Sequence, residues 1–455
     1  MPRRSLIPAL AATALFATAA SAPAAEITVT GWNDAPGGRS YDKLPVTTYG
    51  PSSAKTALVL IPGTGGGRGN FALLGKELPK RVPGLQVWAV DRRSEKLEDT
   101  SVFAAALRGE KTPQQALDYY VGWLGGSDVQ PRYTPPDTAK LAFAANWGLR
   151  VLMEDTRRVV LAAKKRGLRV ILGGHSLGAS ATLAYAAWDF NGDPGYRDID
   201  GMLLLDGGLR RSFDETTSVA DVKKRLAALR KQPFLDLLGL GIPWAAGVLA
   251  ETGAIAARLD PNGPSIVQGF PLLPPAFKAP VPATNAGQFG YVFDATTGPK
   301  ALSLIQVRAG SLAADGSWAD GETTPIANLA ETFGREPGNS VEWFYPARLN
   351  LDVDAASPMK TTAAGHMLGL RLRYAKEIGL PIYSIQSSLT NGRVLAGSRR
   401  VIADSKIRKL PPSLRVLVDA SATDSHLDPL TAGADRSRFL QTGVPWLKAV
   451  QRQRP

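Results

Sequence analysis

Short apolar runs alternate with longer amphipathic stretches through the first half of the chain. Residues 57–61 read Ala-Leu-Val-Leu-Ile and lead directly into Pro62-Gly63-Thr64, which predicts a buried strand ending in a loop. A helix is predicted over 70–81 and a second strand over 85–90, with Asp91-Arg92-Arg93 at its polar end. After a polar, proline-broken stretch, residues 147–166 carry apolar positions at Leu149, Val151, Leu152, Val159, Val160 and Leu161, predicting a long helix. A third strand is predicted over 168–172, followed by an Ala- and Leu-rich helix over 179–190. A fourth, over 199–205, ends at Asp206-Gly207-Gly208. Strand and helix alternating in this way imply parallel βαβ units: an α/β protein with a mostly parallel central sheet covered by helices on both faces.

From about residue 209 to 377 the alternation breaks down. The stretch holds an apolar segment over 234–257 and a proline-rich one over 271–282. It then resumes, with a helix over 365–378, strands over 381–386 and 414–419, and a last helix over 439–450. The simplest division is a leader over 1–24, a first part of the core over 25–208, a large cap insertion over 209–377, and a second part of the core over 378–455. Within the insertion, the run from Phe234 to Trp244 is apolar, but Asp236, Pro243 and two glycines interrupt it too often for a membrane span. Such a cap either covers an acyl pocket, touches lipid, or buries its own apolar face.

The N-terminus changes the picture of where the protein works. Arg3-Arg4 precede an apolar run over 6–20 and the small residues Ala22-Pro23-Ala24, the order of a signal peptide with cleavage after Ala24. A secreted protein is expected. With 0 cysteines there is neither disulfide nor thiolate chemistry, and the three histidines lack the spacing of a helical zinc site. No metal or other cofactor is therefore expected. Lys and Arg exceed Asp and Glu, giving a formal net charge of +13. The positives are scattered, so a solvated basic surface with weak association to anionic surfaces is expected, and no nucleic-acid site. The glycines of 63–69 lack the Gly-Lys-Ser/Thr ending of a phosphate-binding loop.

The strongest chemical signal is Gly174-His175-Ser176-Leu177-Gly178, lying between the predicted third strand and its helix. A serine at a sharp strand-to-helix turn needs small residues two before and two after it, and presents its hydroxyl above the helix N-terminus. On these residues the chain resembles the α/β-hydrolase superfamily over roughly 50–208 and 378–450. The resemblance implies that Ser176 is a nucleophile. It also implies an oxyanion hole from the backbone N–H groups of Thr64 and Leu177, with Pro62-Gly63 standing where the family usually has His-Gly.

A serine nucleophile needs a base that a carboxylate orients. His175 sits in the variable position of the motif and His366 in an apolar run. His426 follows the predicted strand over 414–419, where the family places its base. The family's usual acid position, after Gln386, holds no carboxylate. Asp206, at the end of the preceding strand, keeps the family's Ser, acid, His order; Asp404 is its rival, and Asp428 reads as a cap of the last helix. These residues imply a secreted serine hydrolase acting on small-molecule or lipid carboxylic esters. Acyl transfer, peptide cleavage, or a non-catalytic binding protein on the same fold remain alternatives. Oligomeric state is open.

Overall fold

The computed structural model describes residues 24–209, 217–321, 323–335, 338, 340–357, 359 and 362–453. The expected leader lies outside these residues, apart from Ala24 itself. Eight strands form one sheet: β1 (Ala25–Thr30), β2 (Lys43–Tyr49), β3 (Thr56–Ile61), β4 (Leu85–Val90), β5 (Arg169–His175), β6 (Gly201–Leu205), β7 (Ile382–Gln386) and β8 (Arg415–Asp419). Their order is β1-β2-β4-β3-β5-β6-β7-β8. β2 runs antiparallel to both neighbours, and every other pairing is parallel.

Alternation along the strands splits the core in two. On β3, Leu58 and Leu60 face one apolar cluster, and Ala57, Val59 and Ile61 the other. On β6, Leu203 and Leu205 share the side of Leu58 while Met202 and Leu204 share that of Val59. Both faces are buried, as a parallel sheet requires. Helices α1 (Ala72–Arg81), α2 (Leu149–Lys165) and α3 (Leu177–Ala187) cover them in the first part of the chain, with α7 (Arg393–Asp404) and α8 (Arg438–Gln451) in the last.

Among the described residues, no strand of this sheet falls between β6 and β7. That stretch holds α4 (Val219–Lys231), α5 (Ala245–Leu259) and α6 (Arg348–Ala355), together with helices over Asn285–Phe293 and Ile326–Phe333, a two-stranded ribbon of Gly310–Leu312 with Trp318–Asp320, and shorter turns. Its apolar residues do not form a core of their own. Trp244, Val248, Phe289, Phe333 and Trp343 join the cluster of Leu58, and Leu351 and Ala355 join that of Val59. The insertion therefore packs onto both sides of the sheet. The helix expected over 365–378 is reduced to Ala363–Met367 and one turn at Ala375–Glu377. Gly369, at φ 74°, ends the first piece, because the amide of Leu370 closes back on the Gly365 carbonyl. No helix among the described residues is long and apolar enough to cross a membrane.

Candidate active site

β5 ends at His175 and α3 begins at Leu177, so Ser176 alone makes the turn, with φ 55° and ψ −118°. A residue bearing a Cβ is held there only by surroundings that leave it no alternative. The neighbouring glycines make the turn possible. A Cβ on Gly178 would lie 1.9 Å from the Ile61 carbonyl oxygen, and one on Gly174 would lie 2.4 Å from the carbonyl carbon of Gly178. Gly207 is a third such residue, since its Cβ would lie 2.0 Å from the Ser176 carbonyl oxygen. This turn and the strand order decide the architecture. It is the α/β-hydrolase fold.

Parallel register sets the partners of Ser176 in a row at the carboxyl ends of the strands, where ligands of open α/β sheets bind. His175 lies opposite Leu205, and the amide of Ser176 donates to the Leu205 carbonyl at 2.8 Å. Asp206 follows directly, its own amide donating to Ile385 at 2.9 Å. Asp206 adopts φ 46°, so the chain turns as it leaves β6. Its carboxylate then meets the segment after β7: the Ser387 amide donates to Oδ1 at 2.8 Å, the Thr390 hydroxyl donates to Oδ1 at 3.2 Å, and the Ser387 hydroxyl donates to Oδ2.

Oδ2 of Asp206 also lies 2.5 Å from Nδ1 of His426. Asp206 is 1 % exposed and His426 2 %. Burial pushes the Asp206 carboxyl up, but the charge and hydrogen bond of His426, with the two bonds from Ser387, outweigh it and hold the pKa below the ordinary 3.8. The other ring nitrogen of His426, Nε2, is buried and has no hydrogen-bond partner among the described residues. His175 sits beside this ring at 4.4 Å between centroids, with its Nε2 2.8 Å from the His426 carbonyl oxygen. Burial, followed by the neighbouring His426, lowers the His175 pKa to about 3. His175 is therefore neutral at physiological pH and donates to that carbonyl, fixing the backbone that carries His426.

Ser176, Asp206 and His426 line one cavity of about 290 Å³ with Thr64 and Leu177. All five residues singled out by sequence thus come together. The amides of Thr64 and Leu177 donate to no protein acceptor among the described residues. The loop carrying Thr64 is held from below by Arg92. One guanidinium nitrogen donates to the carbonyls of Pro62 at 2.6 Å and Gly63 at 2.8 Å, and the other to Gly66 at 2.9 Å and to Glu342 at 2.6 Å. Glu342 comes from the insertion, where the Ser340–Glu342 backbone bonds to Gly65 and Gly67. Asn350 accepts the hydroxyls of Thr64 at 3.2 Å and Tyr345 at 2.9 Å.

The remaining candidates lie elsewhere. Asp404 ends α7 and sits 3.8 Å from Arg400, away from His426. Asp428 does not cap the last helix, which Ser437 caps by accepting from the Leu440 amide at 3.1 Å. Instead Asp428 accepts from the Ser425 amide at 2.6 Å, the Arg308 amide at 3.0 Å and the Thr324 hydroxyl at 2.6 Å, bracing the His426 loop. His366 lies in the short helix Ala363–Met367 and lines no part of this cavity. Sequence reading passed over Arg92, Glu342, Asn350, Arg225 and Ser387; only Arg92, in the polar end of a strand facing the glycine loop, carried a signal that could have pointed to it. No cluster of His, Asp or Glu that could hold a metal ion exists among the described residues.

No family model and no curated protein matches the chain. Among solved α/β-hydrolase structures, the chain is similar to a protein of Sulfolobus solfataricus assigned as a lipase, at 15% identity over 94% of each chain with a TM-score of 0.47. A thermophilic esterase from Thermogutta terrifontis is 13% identical, over 94% of this chain and 99% of that one, with a TM-score of 0.39. A monoglyceride lipase from Saccharomyces cerevisiae is 12% identical over 90% of each chain, with a TM-score of 0.37.

Proposed function

We propose that the protein is a serine hydrolase that cleaves carboxylic esters. The observation that carries this reading is the 2.5 Å contact between Asp206 and His426, with the opposite ring nitrogen unpartnered beside the cavity that Ser176 lines. A buried carboxylate on Nδ1 fixes the tautomer in which Nε2 accepts a proton. Ser176 Oγ attacks the acyl carbonyl carbon while His426 Nε2 takes the hydroxyl proton. The amides of Thr64 and Leu177 hold the oxyanion. The ester C–O bond then breaks, and the alcohol leaves with the proton from His426. Water attacks the acyl-enzyme, His426 takes its proton, and the carboxylic acid departs as Ser176 Oγ recovers it. The carboxylate within reach of His426 weighs against a non-catalytic binding protein.

Replacement of Ser176 by Ala is expected to abolish both hydrolysis of short p-nitrophenyl esters and labelling by a fluorophosphonate probe. Labelling that persists in that variant overturns the assignment.

We also propose that the protein is exported after cleavage behind Ala24. The order of residues 1–24 supports this, and so does the start of β1 at Ala25, whose carbonyl accepts the Thr48 hydroxyl at 3.1 Å. N-terminal sequencing of the mature protein is expected to begin at Ala25; a retained leader overturns it.

A further inference from the structure

Part of the cavity lining is charged and polar: Arg225 on α4 and Asn350 and Asp354 on α6 line it, beside the apolar Val353, Leu304 and Leu389. Arg225 is anchored from one side. Its Nη1 lies 3.0 Å from Asp354 and 3.8 Å from Asp221, while Nε and Nη2 meet no protein acceptor among the described residues. Those two nitrogens are the edge of a guanidinium that matches a carboxylate with two parallel hydrogen bonds. Asn350 is oriented in a comparable way. With Thr64 and Tyr345 donating to its Oδ1, its Nδ2 donors have no protein partner among the described residues.

The Arg225 side chain keeps 34 % of its accessible surface, so water meets its free donors until a ligand displaces it. A cavity of about 290 Å³ has room for a small ester. We propose that the ester cleaved at Ser176 carries a carboxylate, which Arg225 binds through Nε and Nη2 and Asn350 through Nδ2. This rests on the hydrolase reading above and names its substrate class. Ion pairing to Asp354 and Asp221 orients the guanidinium, so the free edge is presented before substrate arrives.

The test compares esters with their isosteric, uncharged carboxamides. One pair carries the group in the acyl part (monoethyl adipate) and one in the alcohol part (the acetate ester of glycolic acid). The kcat/KM ratio of acid to amide is expected to be about tenfold or more in at least one pair, and to fall about tenfold in Arg225→Gln. Asn350→Asp, which still accepts the Thr64 and Tyr345 hydroxyls but repels an anion, is expected to lower the same ratio, and it decides the matter if Arg225→Gln does not fold. A wild-type ratio near one in both pairs, or a ratio unmoved by the variant that folds, overturns the proposal. Fluorophosphonate labelling of wild-type Ser176 separates the two levels. Labelling without acid preference sinks the carboxylate subsite alone; no labelling and no hydrolysis sinks the hydrolase reading and this inference with it.

Discussion

Arg92 holds the carbonyl oxygens of Pro62 and Gly63 at 2.6 and 2.8 Å through a single guanidinium nitrogen, directly beneath the loop that presents the Thr64 amide. Carbonyls tied down on one side leave the next amide aimed at the other, so the donor that faces the cavity is set by a residue that never touches substrate. Arg92 is 6 % exposed and its partner Glu342 7 %, so neither charge is relieved by solvent.

Arg92→Met leaves Glu342 buried without its cation and is expected to cost about 3–5 kcal/mol, read as a lower thermal midpoint. Arg92→Lys keeps the charge but cannot reach four acceptors at once. It is expected to retain most of the stability and lose about a hundredfold in kcat with KM little changed, as for loss of an oxyanion donor. A kcat within twofold of wild type in Arg92→Lys counts against this positioning role.

Asp206→Asn replaces the acceptor for the Nδ1 proton by a group that supports the wrong tautomer of His426. A loss of about 10⁴ in kcat is expected, with the fold intact by circular dichroism. Ser387→Ala removes one of the donors to that carboxylate and is expected to cost about tenfold. Equal, small losses in both variants would point away from Asp206 as the orienting acid.

Gly207 lies outside the five-residue motif, yet the close approach of its Cα to the Ser176 carbonyl leaves no room for a methyl group. Gly207→Ala is expected to lower the thermal midpoint and fluorophosphonate labelling together. Gly269→Ala, where an added Cβ would meet nothing within 4 Å, is the control and is expected to change neither.

Burial pushes the Asp428 carboxyl up to about 7, against the hydrogen bonds from Thr324, Ser425 and Arg308. A folded pKa above the ordinary 3.8 means that the native state holds the proton longer than the unfolded chain. The stability from this group is fully present below the unfolded value and is lost as pH rises through about 7. Asp428→Asn cannot ionise. The difference in thermal midpoint, variant minus wild type, is therefore expected to move in favour of the variant between pH 4 and pH 8. A difference that stays flat across that range refutes the ionisation of Asp428 as its source.

The central strands were legible because parallel strands buried on both faces read as unbroken apolar runs: β4 matches its expected bounds, and β3, β5, β6, β7 and β8 differ at the ends by a few residues. β1 and β2 escaped notice for the opposite reason. β1 is an edge strand with a mostly exposed pattern, and β2 mixes Pro45, Thr47 and Thr48 among its apolar positions. α7, spelled Arg-Val-Leu-Ala-Gly-Ser-Arg-Arg-Val-Ile-Ala-Asp, hides its apolar stripe among arginines and a glycine. At the site, residues that act from fixed ends of strands could be found by their place in the alternation, as Ser176, Asp206 and His426 were. Arg225 and Asn350 reach the cavity, and Glu342 reaches Arg92, only because the insertion folds back over the sheet, and no local periodicity encodes that return. Asp428 shows the same limit, since its nearness to the last helix in sequence suggested a cap, whereas its partners Arg308 and Thr324 are more than a hundred residues away.

The pairing of Ser340 and Glu342 with Gly65 and Gly67 also makes the loop that carries Thr64 depend on a segment synthesised much later. A chain that has emerged from the ribosome only as far as residue 339 already contains Ser176 and its flanking glycines, but lacks Glu342, the anion on Arg92 under the loop. His426 arrives later still. On the function proposed above, the serine is thus made early, and the residues that would arm it come from segments made late.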